Sequence, residues 1–138
     1  MELGMKAEDI MNRDFPVLDS SLDLDVCVKN INNHEACVVL RNGFLHSVLS
    51  YDDILKAFLK KKAKIMDIKS SQDFAVVKPE TDVSEIIRIM TKGRINFVIV
   101  REGNYLGLIT KKEIAEINQV LFDMLDFRDK NMISIGIQ

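Results

Sequence analysis

An internal repeat is the feature of this 138-residue sequence that most constrains its fold. Residues 14–31 align without gaps on residues 73–90, and the identical positions include an aspartate and a phenylalanine at the start of each segment. After one inserted residue the register resumes, and 38–54 aligns on 98–114. Chance alone could produce the matching apolar residues, but it much less readily produces the same order of turns, helix caps and hydrophobic periodicities twice. The sequence therefore predicts two copies of one folding unit.

The first part of each copy is predicted to be a strand followed by a helix. A short apolar run, Phe15–Leu18 or Phe74–Val77, favours the strand. An apolar stripe with the 3.6-residue period of an amphipathic helix comes next. The stripe residues are Leu24, Cys27, Val28 and Ile31 in the first copy and Val83, Ile86, Ile87 and Met90 in the second. Asp23 and Asp82 precede the stripes as N-caps, and Asp82 with Glu85 forms a capping-box pattern.

The second part of each copy is predicted to be a β-hairpin followed by another helix. Its turns are Asn42-Gly43 and Glu102-Gly103-Asn104, and Asn-Gly between apolar runs is a strong hairpin signal. The second helices begin at Ser50 and Thr110, and a lysine-rich stretch links the copies. A unit this small cannot bury its sheet and helix faces alone, so the halves should pack together in an α/β (α+β) fold. The predicted boundaries are 6–61 for the first copy, 62–121 for the second, and 122–138 for the C-terminal helix end and tail.

Composition restricts the class of protein to which this chain can belong. A formal net charge of -2 does not suggest nucleic acid or an anionic membrane as the partner. Cys27 and Cys37 are too few for a disulfide-stapled secreted fold, and we interpret them as reduced core thiols. The N-terminus carries charges where a signal peptide needs an apolar region, and no apolar run approaches the roughly 18 residues of a membrane helix. We expect a cytoplasmic protein.

The sequence lacks the motifs of common enzymes and metal sites. It contains no P-loop, no G-x-G-x-x-G and no G-x-S-x-G. His34 and His46 are its only histidines, and no Cys/His spacing suits zinc. His46 and Ser47 are neighbours in a predicted strand, so their side chains should point to opposite faces. The lysines of 60–64 are interpreted as a solvated helix end more readily than as a phosphate site. We predict no catalysis, no metal and no required cofactor.

Two polar quartets, Ser50–Asp53 and Thr110–Glu113, are the candidate site. Each lies where a strand runs into a helix. A hydroxyl at a helix start accepts a hydrogen bond from an unpaired backbone N–H, and an acid three residues later can close a capping box. That structural role is sufficient by itself. A functional role is equally open, because a helix N-terminus suits phosphate and a carboxylate one turn in can accept hydrogen bonds from ribose hydroxyls.

The quartets carry a family resemblance. The run Gly107–Ile114 resembles the closing G-h-x-[ST]-x-x-[DN] motif of CBS domains, and Ser47–Ile54 is its first-copy version. Asp9-Ile10-Met11, Val77–Glu80 and the hairpin strands match as well, so the resemblance covers roughly residues 6–120. It implies a pseudo-twofold pair of CBS repeats, a Bateman module, with two clefts between the repeats. Such pairs commonly form homodimers and bind AMP, ADP, ATP or S-adenosylmethionine.

The resemblance also implies residue roles, carried over by motif. Ribose would be bound by Asp53 in one cleft and by Glu113 in the other. Phosphate would be bound by Ser50 and Thr110, with help from Lys111 or Lys112. The adenine pockets would be lined by Pro16, Val17, Ala75 and Val76, and the residues facing the clefts just before the hairpin strands would be Ala36 and Asn96. The expected function is a regulatory module that senses an adenosine-containing ligand.

Three departures from the motif qualify these roles. Ser47 replaces the motif glycine in the first copy, and Val38 and Val98 stand where many members have proline. Glu113 replaces the usual aspartate, and its extra methylene moves the carboxylate by about 1 Å or more, enough to disturb bidentate ribose recognition. Asp53 is therefore the better candidate for a ribose site. The alternative function is a ligand-free dimerisation or scaffold module in which the quartets are only helix caps.

Overall fold

The computed structural model of the chain describes residues 4–71 and 73–117. The helices are α1 (Ala7–Ile10), α2 (Leu24–Asn30), α3 (Tyr51–Leu59), α4 (Val83–Lys92) and the helical residues 111–117, called α5, with a 3-10 turn at Ile65–Asp67. The strands are β1 (Val17–Asp19), β2 (Ala36–Arg41), β3 (Phe44–Ser50), β4 (Phe74–Val77), β5 (Phe97–Glu102) and β6 (Tyr105–Ile109). The β-α-β-β-α order predicted for both copies is confirmed. The tail predicted at 122–138 lies outside the described residues.

Each copy contains its own three-stranded sheet with the same topology. β1 runs parallel to β2, and β2 runs antiparallel to β3; β4, β5 and β6 repeat this arrangement. Two-residue turns close both hairpins, and φ is 52° at Asn42, 80° at Gly43 and 58° at Gly103. Positive φ suits glycine and asparagine, which explains these residues at the turns. Glu102, predicted in the turn, instead ends β5 and pairs with Tyr105.

The sequence alignment of the two hairpins is wrong by one residue in the first strand. Val38 pairs with Val17 in the first parallel ladder, whereas Ile99 pairs with Val76 in the second. Because Val17 and Val76 are equivalent, the structural counterpart of Val38 is Ile99 and not Val98. Both strands are long apolar runs buried on two faces, so the hydrophobic pattern does not fix their register.

A β-bulge in the β2–β3 hairpin of the first copy brings the two copies back into the same alignment. Val39 pairs with Ser47, but Leu40 pairs with Leu45, which leaves His46 as an extra residue in β3. A bulge breaks the alternation of side chains, and the His46 ring Nδ1 lies 3.3 Å from the Ser47 hydroxyl. The prediction that these two side chains point to opposite faces is therefore wrong. The pairing of β5 with β6 shows no such shift.

The two sheets face each other across a shared core. Alternate residues of both hairpins form this inter-repeat core, namely Ala36, Val38 and Val48 of the first copy and Phe97, Ile99 and Leu108 of the second. The opposite face of each sheet is covered by helices in a second and a third cluster. Burial of both sheet faces confirms that the halves pack together, as their small size predicts.

The leading segment of each copy, before its first strand, packs against the other copy. Ala7 of α1 is buried with Ile86 and Ile109 of the second copy. Ile65, in the leading segment of the second copy, is buried with Leu24 and other residues of the first. Matching backbone bridges fix both segments, Lys6 to Asp82 and Asp23 to Lys64. Each copy thus lacks part of its core without the leading segment of the other.

Asp23 and Asp82 occupy the predicted N-cap positions of α2 and α4, but some of their predicted side-chain contacts do not form. Asp82 is the N-cap of α4 and accepts a hydrogen bond from the Ser84 N–H at 2.9 Å. The capping box with Glu85 does not form, because the Glu85 carboxylate pairs with Arg88 one turn later at 2.8 Å. Asp23 occupies the N-cap position of α2 without a side-chain cap hydrogen bond.

Cys27 and Cys37 lie in the core of the first copy, one on α2 and the other on β2, and both are free and buried. A hydrogen bond to Cys27, together with burial, raises the pKa of the Cys37 thiol. The thiolate is the reactive form, so this environment favours an inert thiol at Cys37. Across residues 4–71 and 73–117, no helix has the length and hydropathy to cross a bilayer.

Candidate functional site

The first polar quartet forms the predicted capping box. The Asp53 N–H donates to the Ser50 hydroxyl at 3.1 Å, and the Ser50 N–H donates to Asp53 Oδ2 at 3.1 Å. Asp53 is only 4% exposed. Its second oxygen, Oδ1, accepts a hydrogen bond from the Ser71 N–H at 3.2 Å. The carboxylate therefore joins the start of α3 to the segment that leads into the second copy.

The second quartet has a different hydrogen-bond pattern. The longer Glu113 side chain folds back on its own helix start, and Oε1 accepts from the Thr110 N–H at 2.7 Å and from the Thr110 hydroxyl at 2.8 Å. The Thr110 oxygen in turn accepts from the Lys112 N–H at 3.1 Å. Within the described residues both hydrogen bonds of this carboxylate are local, whereas Asp53 also accepts one from the segment that leads into β4.

Asp53 lies in the wall of a cleft of about 500 Å³. One wall is α3 and the residues just after it, and the other is the segment before β4. The lining residues are Asp53, Lys56, Ala57, Lys60, Lys62, Asp67, Ile68, Lys69, Ser70 and Ser71. The Ser70 hydroxyl donates to the Val48 carbonyl at 2.8 Å and holds this second wall against β3.

The second quartet lies at a much smaller cleft of about 40 Å³. This cleft is lined by both copies, which brings the predicted residue Ala36 beside Thr110, Lys112 and Glu113. The other lining residues are Asn12, Phe15, Asn33, His34, Glu35 and Leu108. Two clefts with quartet acids thus exist, and their sizes differ by more than tenfold.

Ser50 and the remaining predicted contacts do not line either cleft among the described residues. Lys111 lines a groove between α4 and α5. The Pro16 carbonyl accepts a hydrogen bond from the Val38 N–H in the first sheet, and Ala75 pairs with Val98 in the second. The other three are Val17 and Val76, which are 40% and 47% exposed, and Asn96, which is half-buried and precedes β5. Their binding roles stay predictions.

Sequence reasoning missed the residues that complete both clefts. The segments before β1 and β4 supply Asn12 and Phe15 to one cleft and Ser70 and Ser71 to the other. A weak signal for this role exists, because Asp-Ile recurs in the two leading segments at 9–10 and 67–68. Within the described ranges, no group of three or more metal-ligating side chains is close enough to hold a metal ion.

The motif glycine Gly107 allows the leading segment to approach the second copy. The Asn12 N–H donates to the Leu108 carbonyl at 2.8 Å, and the Leu108 N–H donates back to Asn12 at 2.9 Å. A Cβ at Gly107 would overlap Met11 Sδ, and it would lie 2.7 Å from Met11 Cγ and 3.0 Å from Met11 Cβ. Rotation of the Met11 side chain could move Sδ and Cγ away but not Cβ, so a tight contact at 3.0 Å would remain.

We therefore expect Gly107→Ala to lower the free energy of unfolding by about 1–3 kcal/mol, the usual cost of overpacking. Urea unfolding followed by circular dichroism would measure it. Ser47→Ala, at the equivalent position of the first copy, is the matched control and should change the stability by about 0.5 kcal/mol or less. Equal stability of Gly107→Ala and the unmodified protein would contradict the role given to this glycine.

The comparisons with known proteins agree with this architecture. The sequence matches the CBS domain family twice, over residues 7–60 and 65–119, and the chain belongs to this family. No curated protein shows significant sequence similarity to it.

Solved structures of CBS proteins have the same fold. One is the CBS domain pair of protein MJ0100 in complex with 5′-methylthioadenosine and S-adenosyl-L-methionine, at 20% identity and a TM-score of 0.68, covering 83% of this chain and 96% of that one. CBSX2 in complex with AMP has 17% identity and a TM-score of 0.66, with coverages of 86% and 98%. A hemolysin-like protein containing a CBS domain, from Oenococcus oeni PSU, has 23% identity and a TM-score of 0.67, with coverages of 81% and 88%.

Proposed function

We propose that this CBS pair is a non-catalytic, cytoplasmic regulatory module that senses an adenosine-containing ligand, and that Asp53 binds the ribose of that ligand. The observation that carries the proposal is the position of the buried Asp53 carboxylate in the wall of the 500 Å³ cleft. Two structures with the same fold were solved with adenosine-containing compounds, S-adenosyl-L-methionine and AMP among them. This supports the ligand class, and the volume of the cleft lies in the range of small-molecule sites, roughly 300–1,000 Å³.

The Asp53 cleft is favoured over the Glu113 cleft on chemical grounds. Each Asp53 oxygen accepts one backbone N–H, which leaves each a further lone pair for a ribose hydroxyl. Glu113 instead directs one oxygen at Thr110, in a cleft of 40 Å³. A space of that size holds a few waters at most, so a nucleotide there would require the walls to separate.

The cleft is placed to transmit binding from one copy to the other. One wall is α3 of the first copy, and the other wall is the segment that leads into β4 of the second. A ligand that contacts both walls would favour the packing in which they are close, and a partner protein could sense that population shift. The link between the Ser71 N–H and Asp53 is one contact that such a shift would strengthen or break.

Calorimetric titration of the purified chain with AMP, ADP, ATP and S-adenosylmethionine tests the proposal, with a thermal-shift screen of the same compounds. We expect at least one of them to bind with a stoichiometry of one per chain and to raise the melting temperature. If none binds at millimolar concentration, the adenosine proposal fails, and the scaffold alternative, in which the quartets act only as helix caps, is favoured.

We also propose that the module is a homodimer that uses its repeat helices. Apolar grooves of about 380 Å³ between α2 and α3 and about 270 Å³ between α4 and α5 occupy equivalent positions in the two copies. Phe58 on α3 is 56% exposed and lines the first groove. A second copy can cover both grooves at once, because an isologous interface uses the same surface on each partner.

We expect the chain to sediment as a dimer at about 50 µM and Phe58→Asp to shift it to monomer, since a buried interfacial charge without a partner costs several kcal/mol. Phe44→Asp is the matched control, because Phe44 is 69% exposed at the start of β3 and lines neither groove. A monomeric unmodified chain, or equal dissociation of both variants, would refute this interface.

A further inference from the structure

The Asp53 cleft carries an excess of positive charge. Four lysines line it, Lys56 and Lys60 on or just after α3, Lys62 beyond the helix, and Lys69 on the opposite wall. Two carboxylates, Asp53 and Asp67, line it as well, which leaves an excess of two positive charges. Across residues 4–71 and 73–117, none of the four lysines forms an ion pair. Like charges that converge on one concave surface repel each other unless an anion neutralises them.

The end of α3 explains only part of this cluster. Lysines near a helix C-terminus complement the helix dipole, which accounts for Lys56 and Lys60. Lys69 belongs to a different segment, ten residues from the end of α3 in sequence, and yet it faces the same cleft. Lys61 and Lys64 of the same basic run do not line the cleft, and the Lys64 ammonium lies 3.5 Å from the Ser21 carbonyl. Only some lysines of this region line the cleft, and they come from both of its walls.

We infer that this cleft binds a chain of two or three phosphates, so that the sensed ligand is a nucleoside di- or triphosphate in preference to a monophosphate. The inference rests on the proposed function, because Asp53 holds the ribose and sets where the phosphate chain begins. From Asp53 to Lys60, α3 rises about 10 Å at 1.5 Å per residue, which gives an extended phosphate chain room along the helix. Lys56 and Lys60 lie on one helix face because they are four residues apart.

The preference has a measurable size and salt dependence. Each added phosphate brings negative charge to a partly enclosed basic surface, so we expect ATP to bind roughly 10- to 100-fold more tightly than AMP at low ionic strength. The lysines are exposed, and the advantage should fall several-fold between about 50 mM and 300 mM salt. S-adenosylmethionine, which is cationic at its sulfur, should bind more weakly than ATP.

The test compares a cleft-lining pair with a matched pair from the same basic run. Lys56→Gln with Lys69→Gln removes two charges from the two cleft walls, and Lys61→Gln with Lys64→Gln removes two charges outside it. Each protein is titrated with AMP, ATP and inorganic triphosphate, and its circular dichroism and melting temperature confirm folding. We expect the first double variant to lose about 10-fold or more in ATP affinity while its AMP affinity changes less than about threefold. The control pair should retain the ATP/AMP ratio of the unmodified chain.

The outcomes separate this inference from the proposed function. If AMP binds through Asp53 and ATP binds no more tightly, the phosphate-chain inference is overturned and the proposed function stands. If no adenosine compound binds but inorganic triphosphate does, with loss in the cleft-lining variant, the lysine site stands and the adenosine proposal fails. Equal losses in both double variants would show a general charge effect and overturn the inference. Tighter binding of a single-stranded oligonucleotide than of triphosphate, weakened equally in both variants, would also overturn it.

Discussion

Ile99→Ala is expected to lower the free energy of unfolding by about 2–5 kcal/mol, the usual range when a large aliphatic side chain is removed from a core. Ile99 is fully buried on β5 and points into the core between the two sheets. The cavity would open between the copies and not inside one of them. We therefore expect both copies to lose stability together, in one cooperative transition.

Urea unfolding followed by circular dichroism measures the change in the free energy of unfolding, and native-state hydrogen exchange shows which strands lose stability. Amides of β2 in the first copy and β5 in the second should lose protection by the same free energy. Val76→Ala is the control, because Val76 is apolar but lies half-exposed on an outer strand, and it should cost about 1 kcal/mol or less. Retained protection of β2 in Ile99→Ala would show that the copies unfold independently.

Cooperative unfolding is also expected from the way the leading segments cross over. Ala7 completes the helical core of the second copy, and Ile65 completes that of the first. Each copy therefore carries residues that complete the core of the other. Separation of the two copies would uncover apolar surface on both. The unit of folding is the pair, although the unit of sequence repetition is the single copy.

The features that the sequence predicted correctly are local. The type of each successive element, the Asn42-Gly43 turn and the Ser50–Asp53 capping box depend on residues within a few positions of each other. A turn or a cap has few conformational alternatives, so residue type and spacing are enough to define it. The order of elements followed from finding the same local signals twice.

The features that the sequence did not predict depend on pairing across the chain. The bulge at His46 shifts one strand by a residue, and β2 and β5 contain no polar alternation that would reveal the shift. As a consequence Phe97, and not Asn96, is the structural counterpart of Ala36. The second wall of the Asp53 cleft comes from Lys69–Ser71, which no local rule associates with α3. The motif thus located the acid, whereas the tertiary structure supplied the cleft around it.

The two quartet acids should differ in their effect on ligand binding. We expect Asp53→Ala to weaken binding of the adenosine ligand by roughly 10- to 100-fold, since a hydrogen bond to a charged acceptor contributes about 1.5–3 kcal/mol. Glu113→Ala should weaken it less than about threefold, because its carboxylate is bonded to Thr110 beside a 40 Å³ cleft. The comparison requires that the variants remain folded.

Folding must be controlled because both acids also cap helices. Asp53→Ala leaves the Ser50 and Ser71 N–H groups without their present acceptor, which costs about 0.5–2 kcal/mol for a lost cap. Asp53→Asn retains an acceptor oxygen for one of them and separates the loss of charge from the loss of the cap. Asp52→Ala is the matched charge control, because Asp52 lies in the same first turn of α3 but is exposed and does not line the cleft. Calorimetric titration of all four variants, with melting temperatures alongside, distinguishes the roles. If Asp53→Ala remains folded and binds as tightly as the unmodified chain, Asp53 is a helix cap only, and the ligand uses other residues.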